Sequence, residues 1–268
     1  MIKMAIIYDF DKTLSPKDMQ EFHLYKELGF NEPKDLWIES NEYSVSYNMD
    51  KILAYMFVIA NRYEKLSKKF LKDEGKYIKL YRGVENWFSR INSYAKEKGI
   101  KIEHYIISSG LKSMIEGTSI AKEFKRIYAC EYAFKDNKAF PARVVNYTTK
   151  TQFIFRINKG VLDWSNDEEL NKSTPDIEKD IPYERMIYIG DGYTDVPCMK
   201  IVSQFGGYSI AVYGDKTSKE DIASKLYKDN RASYYAKADY SENSKMDKII
   251  KSLIDHVHSR EVLNNFKD

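Results

Sequence analysis

The apolar positions along this chain fall into two patterns, short continuous runs and sets spaced three or four residues apart. A continuous run suits a strand that is buried on both faces, whereas the wider spacing suits a helix with one apolar face. The runs predict buried strands at 4–8, 102–107, 186–190, 208–213 and 233–236. The apolar segments on either side of residues 135–138 predict a β-hairpin.

Helices are predicted between most of these strands. Their spacing places them from Val84 to a stop at Gly99, from Leu111, over 195–205 and 218–228, and in a C-terminal segment that includes Met246 and Val257. Residues 150–157 fit either a helix or a strand, and the stop signal NKG that follows favours a helix. Strands that alternate with helices predict an α/β fold with a Rossmann-like, doubly wound, mostly parallel sheet.

Residues 16–81 interrupt this alternation, since no convincing strand pattern occurs there. One helix is predicted to start at Ser15, with Asp18 completing a capping box, and to stop at Gly29. A second is predicted over 50–72 with Asp50 as its cap, while 31–49 gives no clear pattern. The chain is therefore expected to consist of core segments 1–15 and 82–268, with a helical cap at 16–81 inserted after the first strand.

The composition is that of a globular protein, with 43% hydrophobic and 31% charged residues among 268. A net charge of +3 calls for neither a nucleic-acid nor a membrane partner. The two cysteines, Cys130 and Cys198, form no CxxC pair and are expected to be reduced. The first apolar run ends at Asp9, too early for an export signal, so a cytoplasmic location is expected.

Acidic side chains follow two of the predicted strands, and a hydroxyl follows a third. Asp9 and Asp11 come after the first strand, Ser108 after the second, and Asp191 and Asp195 after the strand 186–190. Right-handed crossovers bring these strand ends to one edge of the sheet, where ligands bind. Two carboxylates about 4 Å apart repel by roughly 4 kcal/mol, so a cation is expected among them. An open site with only oxygen ligands suits Mg²⁺.

The motifs DFDKT (9–13) and GDGYTD (190–195) resemble the DxDxT and GDxxxD motifs of the haloacid dehalogenase superfamily of phosphohydrolases. Ser108, at the end of HYIIS, and a lysine between it and Asp191 match the two remaining motifs of that family. The insertion after the first strand and the hairpin at 127–145 resemble those of its phosphoserine phosphatase-like members. Each short motif alone could be a turn, but two in the family's order make a specific match.

The resemblance implies a role for each acidic residue. Asp9 would attack phosphorus and form an aspartyl phosphate, and Asp11 would act as general acid and then as general base. Mg²⁺ would be held by Asp9, by the backbone carbonyl of Asp11 and by Asp191. Asp195 would bind the metal or orient its ligands.

The resemblance also implies a phosphate-binding set. Ser108 and the amides of Ser109 and Gly110 would hold phosphate oxygens, although Ser108 could equally cap the next helix. The lysine is assigned to Lys150, at the predicted start of a helix that faces the site, with Lys159 as the alternative.

A Mg²⁺-dependent phosphatase that acts on a small phosphorylated metabolite is therefore the first hypothesis. Asp11 favours it over the family's dehalogenases, which lack a second aspartate. A phosphotransferase or phosphomutase using the same intermediate is the alternative, and a non-catalytic binding protein is a third. The aromatic residues Trp37, Tyr43 and Tyr47 are candidates to line a pocket in the insertion, but the sequence names no substrate.

Overall fold

The core of the protein is a seven-stranded sheet with strand order β4-β3-β2-β1-β5-β6-β7. The structure, a computed structural model, describes residues 1–136, 138–215, 217–264 and 266, with the backbone alone at 217–220. The strands are β1 (Ile2–Tyr8), β2 (Ile100–Leu111), β3 (Phe124–Lys135), β4 (Lys138–Arg143), β5 (Met186–Gly190), β6 (Tyr208–Tyr213) and β7 (Tyr234–Lys237).

All neighbouring strands are parallel except β4, which pairs antiparallel with β3. This pair is the predicted hairpin, and the predicted turn residue Asn137 lies outside the described residues. From β1 the chain builds β2, β3 and β4 on one side, and then β5, β6 and β7 on the other. The strand order therefore reverses between β1 and β5, the position where open α/β sheets bind ligands.

Eleven α-helices accompany the sheet within the described part of the chain. They are α1 (Leu24–Glu27), α2 (Pro33–Ser46), α3 (Lys51–Arg62), α4 (Lys68–Glu74), α5 (Val84–Glu97), α6 (Lys112–Ile115), α7 (Lys150–Lys159), α8 (Asp167–Asn171), α9 (Val196–Gln204), α10 (Thr217–Lys228) and α11 (Lys245–Asn264).

Helices cover both faces of the sheet, which confirms the predicted fold class. On one face, Phe88 of α5 packs edge-on against His104 of β2. On the other, Phe153 of α7 stacks on Tyr128, which pairs in register with Ile107 of β2. Because His104 and Ile107 are three residues apart along one strand, their side chains point to opposite faces. The apolar run of β1 is fully buried between these two layers.

The prediction of a helix from Ser15 to a stop at Gly29 is wrong. The chain forms a single 3₁₀ turn at Met19–Glu21 and then the four-residue α1. The Ser15 hydroxyl donates to the carbonyl of Lys17, and Asp18 pairs with Lys12 and completes no capping box. A tertiary contact explains the difference, because the backbone N–H of Met19 donates to Asp11 Oδ1 at 2.8 Å. That hydrogen bond holds the segment against the end of β1 in place of a regular helix.

The rest of the insertion is helical, with different boundaries from those predicted. Asp50 caps α3 as predicted, accepting from the backbone N–H of Ile52 at 2.8 Å. The predicted helix 50–72 is nevertheless two helices, because α4 begins anew after its own cap, Ser67. The unassigned region 31–49 contains α2, whose only buried residues are Leu36 and Ser40. Such a narrow buried face leaves little periodicity to detect.

The two ends of the insertion meet beside the core. The N–H of Tyr81 donates to the carbonyl of Leu14 at 2.9 Å, so the chain returns next to the point where it left. Gly83 then adopts a positive φ of 83°, and a Cβ there would lie 2.3 Å from the backbone nitrogen of Ser241. These contacts fit the predicted change from insertion to core near residue 82, although the boundary itself stays a prediction.

Among the described residues, no helix combines the length and the apolar character needed to cross a bilayer.

Candidate active site

A cavity of about 500 Å³ lies between the insertion and the carboxyl ends of β1, β2 and β5. It contains most of the predicted site residues. Those that line it are Asp9, Asp11, Ser108, Ser109, Lys150 and Asp191. The other two, Gly110 and Asp195, lie behind this wall. The convergence of strand ends predicted from the sequence is therefore what the structure shows.

The turn after β1 directs both aspartates into this cavity. The N–H of Asp9 donates to the carbonyl of Ile189 at 2.9 Å, which fixes Asp9 against the end of β5. The chain then reverses through Lys12, whose φ of 58° is left-handed, and Leu14 donates back to the carbonyl of Phe10 at 2.9 Å. Asp11 is held from the insertion side by its hydrogen bond from Met19.

Of the two candidates Lys150 and Lys159, it is Lys150 that the fold brings to the site. It begins α7, is 1% exposed, and places its Nζ 3.1 Å from Asp9 Oδ1 and 2.8 Å from Asp195 Oδ1. Lys159, the alternative, lies at the other end of α7 and donates to the carbonyl of Leu170 at 2.6 Å. The preference for Lys150 therefore agrees with the geometry.

Asp195 supports the site from behind. Its Oδ1 accepts hydrogen bonds from Lys150 Nζ and from the Tyr188 hydroxyl, both at 2.8 Å, and its Oδ2 accepts from the N–H of Asp191 at 3.1 Å. Gly190 makes room for it, since a Cβ there would lie 2.4 Å from Asp195 Oδ2. With both oxygens engaged, Asp195 is arranged to orient Lys150 and the Asp191 loop.

Ser108 and Ser109 reach the cavity, but their local structure differs from the prediction. The strand predicted to end at residue 107 continues to Leu111, so both serines and Gly110 belong to β2. The N–H of Gly110 donates to Ser108 Oγ at 3.0 Å, and Gly110 is absent from the lining. Gly110 instead permits close packing, because a Cβ there would lie 2.9 Å from Asp11 Oδ2.

Burial and crowding shift the pKa values of these groups. Burial raises the pKa of Asp9 to about 7, even though the charge of Lys150 acts to lower it. Burial, with the charges of Asp18 and Asp9, also raises the pKa of Asp11 well above its usual range. Burial acts to lower the pKa of Lys150, but the charges of Asp195 and Asp9 outweigh it and the net shift is upward. The lysine thus stays charged while the two aspartates resist ionisation.

The acidic groups also fit a divalent cation. Asp9, Asp191 and Asp195 each offer an oxygen, and these atoms lie within 4.8 Å of one another. Asp9 Oδ1 is buried and accepts no hydrogen bond, because its 3.1 Å contact with Lys150 Nζ lacks hydrogen-bond geometry. An all-oxygen donor set with one unsatisfied carboxylate oxygen suits Mg²⁺. A bound cation would also favour the ionised aspartates, which burial and their mutual repulsion disfavour.

Several lining residues were missed by the sequence reasoning. They come mainly from the insertion, which contributes Asp18, Gln20, Glu21, Ile52 and Tyr55. The others are Lys12 in the turn after β1, and Gly192, Tyr193 and Thr194 after β5. The aromatic candidate Trp37 does line the cavity, whereas Tyr43 and Tyr47 stack on each other away from it. Gln20 and Glu21 gave no periodic signal, since they lie in the 3₁₀ turn that replaces the predicted helix.

The chain has a relative that aligns along most of its length. The chain is 29% identical to an uncharacterized protein of Borreliella burgdorferi, with 91% of this chain and 93% of the relative aligned.

Its fold is similar to that of several solved structures. One is a substrate-bound phosphoserine phosphatase complex, with a TM-score of 0.58, 16% identity and coverage of 94% of this chain and 99% of the other. Another is a HAD family hydrolase from Salmonella enterica serovar Typhi, with a TM-score of 0.55, 18% identity and coverage of 82% of this chain. This chain spans 65% of the Salmonella protein's length.

The model of one protein family matches residues 6–200. That segment begins within β1, carries every site residue described above, and ends within α9. The chain belongs to the haloacid dehalogenase-like hydrolase family.

Proposed function

We propose that this protein is a Mg²⁺-dependent phosphatase that hydrolyses a small phosphomonoester through an aspartyl-phosphate intermediate, an acyl phosphate formed on Asp9. The observation that carries the proposal is the meeting of Asp9, Asp11 and Lys150 at one cavity wall, with the Asp9 carboxylate 3.1 Å from the lysine. A buried carboxylate beside a fixed ammonium can act as a nucleophile towards an anionic phosphoryl group.

The proposed metal ligands are Asp9, Asp191 and the backbone carbonyl of Asp11, with Asp195 orienting them from behind. When bound, Mg²⁺ supplies positive charge that offsets the charge of the phosphate and of the aspartates. Lys150 supplies a second positive charge beside Asp9, and its contact with Asp195 holds it in place.

In the first step an Asp9 carboxylate oxygen attacks phosphorus, the bond from phosphorus to the alcohol oxygen breaks, and Asp11 donates a proton to that oxygen. In the second step water attacks the same phosphorus while Asp11 accepts its proton. The bond from phosphorus to the Asp9 oxygen then breaks, which releases inorganic phosphate and restores both side chains. The raised pKa of Asp11 suits it to begin as an acid.

Ser108 and Ser109 are proposed to bind the non-bridging phosphate oxygens, since both line the cavity beside Asp9. Residues 16–81 are proposed to act as the cap that encloses substrate, because they form the opposite cavity wall. The structures described as phosphoserine phosphatases support a phosphatase through their likeness in fold, and one of them is described as an analogue of a phospho-aspartyl intermediate. The cytoplasmic location rests on the sequence alone and stays a prediction.

The deciding experiment measures phosphate release from p-nitrophenyl phosphate by the purified protein with Mg²⁺ and with EDTA. We expect release with Mg²⁺ only. Acid quenching during turnover, followed by peptide mass spectrometry, should locate phosphate on Asp9. Hydrolysis that is equally fast in EDTA would contradict the metal requirement, and phosphate on any other residue would contradict the nucleophile.

A phosphotransferase sharing these residues would pass the phosphoryl group to an added alcohol. Repeating the assay with ethanol or glycerol present therefore distinguishes the two reactions. We expect inorganic phosphate to account for all of the product.

A further inference from the structure

The wall of the cavity that belongs to the insertion has a distinct chemistry. The residues of the insertion that line the cavity are Asp18, which is paired with Lys12, and Gln20, Glu21, Trp37, Ile52 and Tyr55. We call the last five the insertion wall. Opposite them lie the groups proposed to handle phosphate. A substrate whose phosphate sits beside Asp9 must therefore present the rest of its structure to the insertion wall.

Gln20 brings an unsatisfied acceptor to this wall. The residue is 2% exposed, and its Oε1 is buried without a hydrogen-bond partner. A buried carbonyl oxygen without a donor costs about 1–3 kcal/mol. Because Gln20 lines the cavity, a bound molecule with an N–H or O–H donor can satisfy that oxygen.

Glu21 brings a carboxylate that is oriented but not neutralised. Its Oε1 accepts a hydrogen bond from Trp37 Nε1 at 2.9 Å, which fixes the direction of the group. Within the described part of the chain no lysine, arginine or histidine forms an ion pair with it. Asp18 is different, since it is already paired with Lys12.

The same wall offers nothing to a second anionic group of a substrate. Among the described residues that line the cavity, the cationic side chains are Lys12 and Lys150. Lys12 is paired with Asp18, and Lys150 with Asp9 and Asp195. A carboxylate on the substrate would therefore lie in the same cavity as the Glu21 carboxylate without a free cation among the described lining residues to compensate it, and the two negative charges would repel.

From this arrangement we propose that the substrate is the phosphomonoester of an alcohol that carries a primary ammonium group and no carboxylate, with the ammonium bound by Glu21 and Gln20. A primary ammonium has three N–H donors and a positive charge, so it satisfies both groups at once. A quaternary ammonium would meet Glu21 and the ring of Trp37 but would leave Gln20 Oε1 without a donor. This inference rests on the phosphatase function proposed above and narrows its substrate.

Three esters test the proposal: 2-aminoethyl phosphate, 2-hydroxyethyl phosphate of the same size, and O-phosphoserine. The first two differ in the charge of one terminal group, and the third adds a carboxylate to the first. We expect kcat/KM for 2-aminoethyl phosphate to exceed that for each of the others by about tenfold or more, the usual effect of one charge-assisted hydrogen bond. Equal values for the first two, or the highest value for O-phosphoserine, would overturn the proposal.

The variant Glu21→Gln assigns the effect to its residue, because it removes the charge and keeps an acceptor for Trp37. The ratio of kcat/KM between the amino and the hydroxyl ester should fall towards one. Glu42→Gln is the matched control, since Glu42 is an exposed glutamate of α2 away from the cavity, and it should keep the wild-type ratio. A Glu21→Gln enzyme that also keeps the ratio would show that Glu21 does not bind the ammonium.

Two further measurements separate this inference from the proposed function. If p-nitrophenyl phosphate is hydrolysed and the ester series shows no preference, only the substrate inference fails. If no ester is hydrolysed, the phosphatase proposal fails. In that case calorimetric titration of the Asp9→Asn protein with the same three esters decides the present inference, and equal affinities would overturn it.

Discussion

The two walls of the cavity use carboxylate side chains in opposite ways. We call the wall formed by Asp9, Asp11, Lys150, Asp191 and the serines of β2, with Asp195 behind it, the core edge. At the core edge, buried carboxylates are held by a lysine and by neutral hydrogen-bond donors, as Asp195 shows by accepting from Lys150 Nζ and from the Tyr188 hydroxyl. At the insertion wall, the Glu21 carboxylate is oriented by a neutral indole and forms no ion pair with any of the described side chains. Compensated charge fixes the position of reacting groups, whereas uncompensated charge leaves an interaction for the substrate to make.

Each region also contains a buried oxygen without a hydrogen-bond donor, Asp9 Oδ1 at the core edge and Gln20 Oε1 in the insertion. In the proposed enzyme a metal ion satisfies the first and the substrate the second. Substitutions at the core edge should therefore abolish the reaction for every ester, whereas substitutions in the insertion wall should change which ester is preferred.

The largest effect is expected from Asp9→Asn, which removes the proposed nucleophile and preserves the size of the side chain. Activity on p-nitrophenyl phosphate should fall by about 10⁴-fold or more, as for other nucleophile knockouts. Steady-state phosphate release measures it. Asp73→Asn, at an exposed aspartate of α4, is the control and should be fully active. An Asp9→Asn enzyme with wild-type turnover would remove the distinction between the two regions.

The two ends of α7 provide the next test. Lys150→Met should lower kcat by about 10²–10³-fold, because a preorganised charge beside the transferring group is lost. It should also destabilise the fold by about 3 kcal/mol, since Asp9 and Asp195 lose their buried counter-charge.

Lys159→Met is the matched control, with the same substitution at the opposite end of one helix. It should keep wild-type kcat in the same assay. Loss of turnover in Lys159→Met, with activity retained in Lys150→Met, would reverse the assignment of the lysine.

The raised pKa of the buried Asp9 predicts that the free energy of unfolding depends on pH. The pKa of Asp9 rises from 3.8 in the unfolded chain to about 7 in the fold, so between those values only the folded state keeps the proton. The free energy of unfolding of the metal-free protein should therefore fall as the pH rises through this interval. Urea unfolding at pH 5 and pH 8 measures the change.

Asp9→Asn should remove this fall in the free energy of unfolding at high pH. Without metal at pH 8 the variant should be more stable than the wild type by about 1–3 kcal/mol, and the difference should shrink at pH 5. Added Mg²⁺ should favour the ionised wild-type carboxylate and reduce the advantage. A variant that is less stable than the wild type at pH 8 in EDTA would show that the ionised Asp9 carboxylate does not destabilise the fold.

The smallest effect is expected where the two regions touch. Tyr55→Phe removes the hydrogen bond from the Tyr55 hydroxyl to the carbonyl of Ser109, which measures 2.6 Å. Stability should fall by about 1 kcal/mol, and KM should rise a few-fold with little change in kcat, because Ser109 lines the phosphate side of the cavity.

Tyr132→Phe is the control for this contact. Its hydroxyl donates to the carbonyl of Met56 at 2.7 Å, so it joins the same two regions away from the cavity. It should cost similar stability and leave KM unchanged. A larger change in KM for Tyr132→Phe than for Tyr55→Phe would contradict the local role of Tyr55.

The core edge could be predicted from the sequence because its parts follow local rules. An apolar run such as 4–8 is compatible with few environments other than a two-sided sheet, and a parallel sheet then brings Asp9, Ser108 and Asp191 together. The choice of Lys150 over Lys159 as the family's lysine followed from its place at the predicted start of a helix. The predicted end of the second strand at residue 107 was wrong, because a strand that continues looks, in sequence, like one that ends there. The phosphate-binding role of Gly110 stays a prediction.

What the sequence determined by itself was the order of strands and helices and the polar residues at the strand ends, since both arise from periodic burial along a short stretch of chain. Only the tertiary structure decided the path from Ser15 to Gly29. A hydrogen bond between Asp11 and Met19 there outweighs the helical preference of the segment and turns Gln20 and Glu21 towards the cavity. Such contacts leave no period in the sequence, because their free energy depends on groups that meet only after the chain has folded.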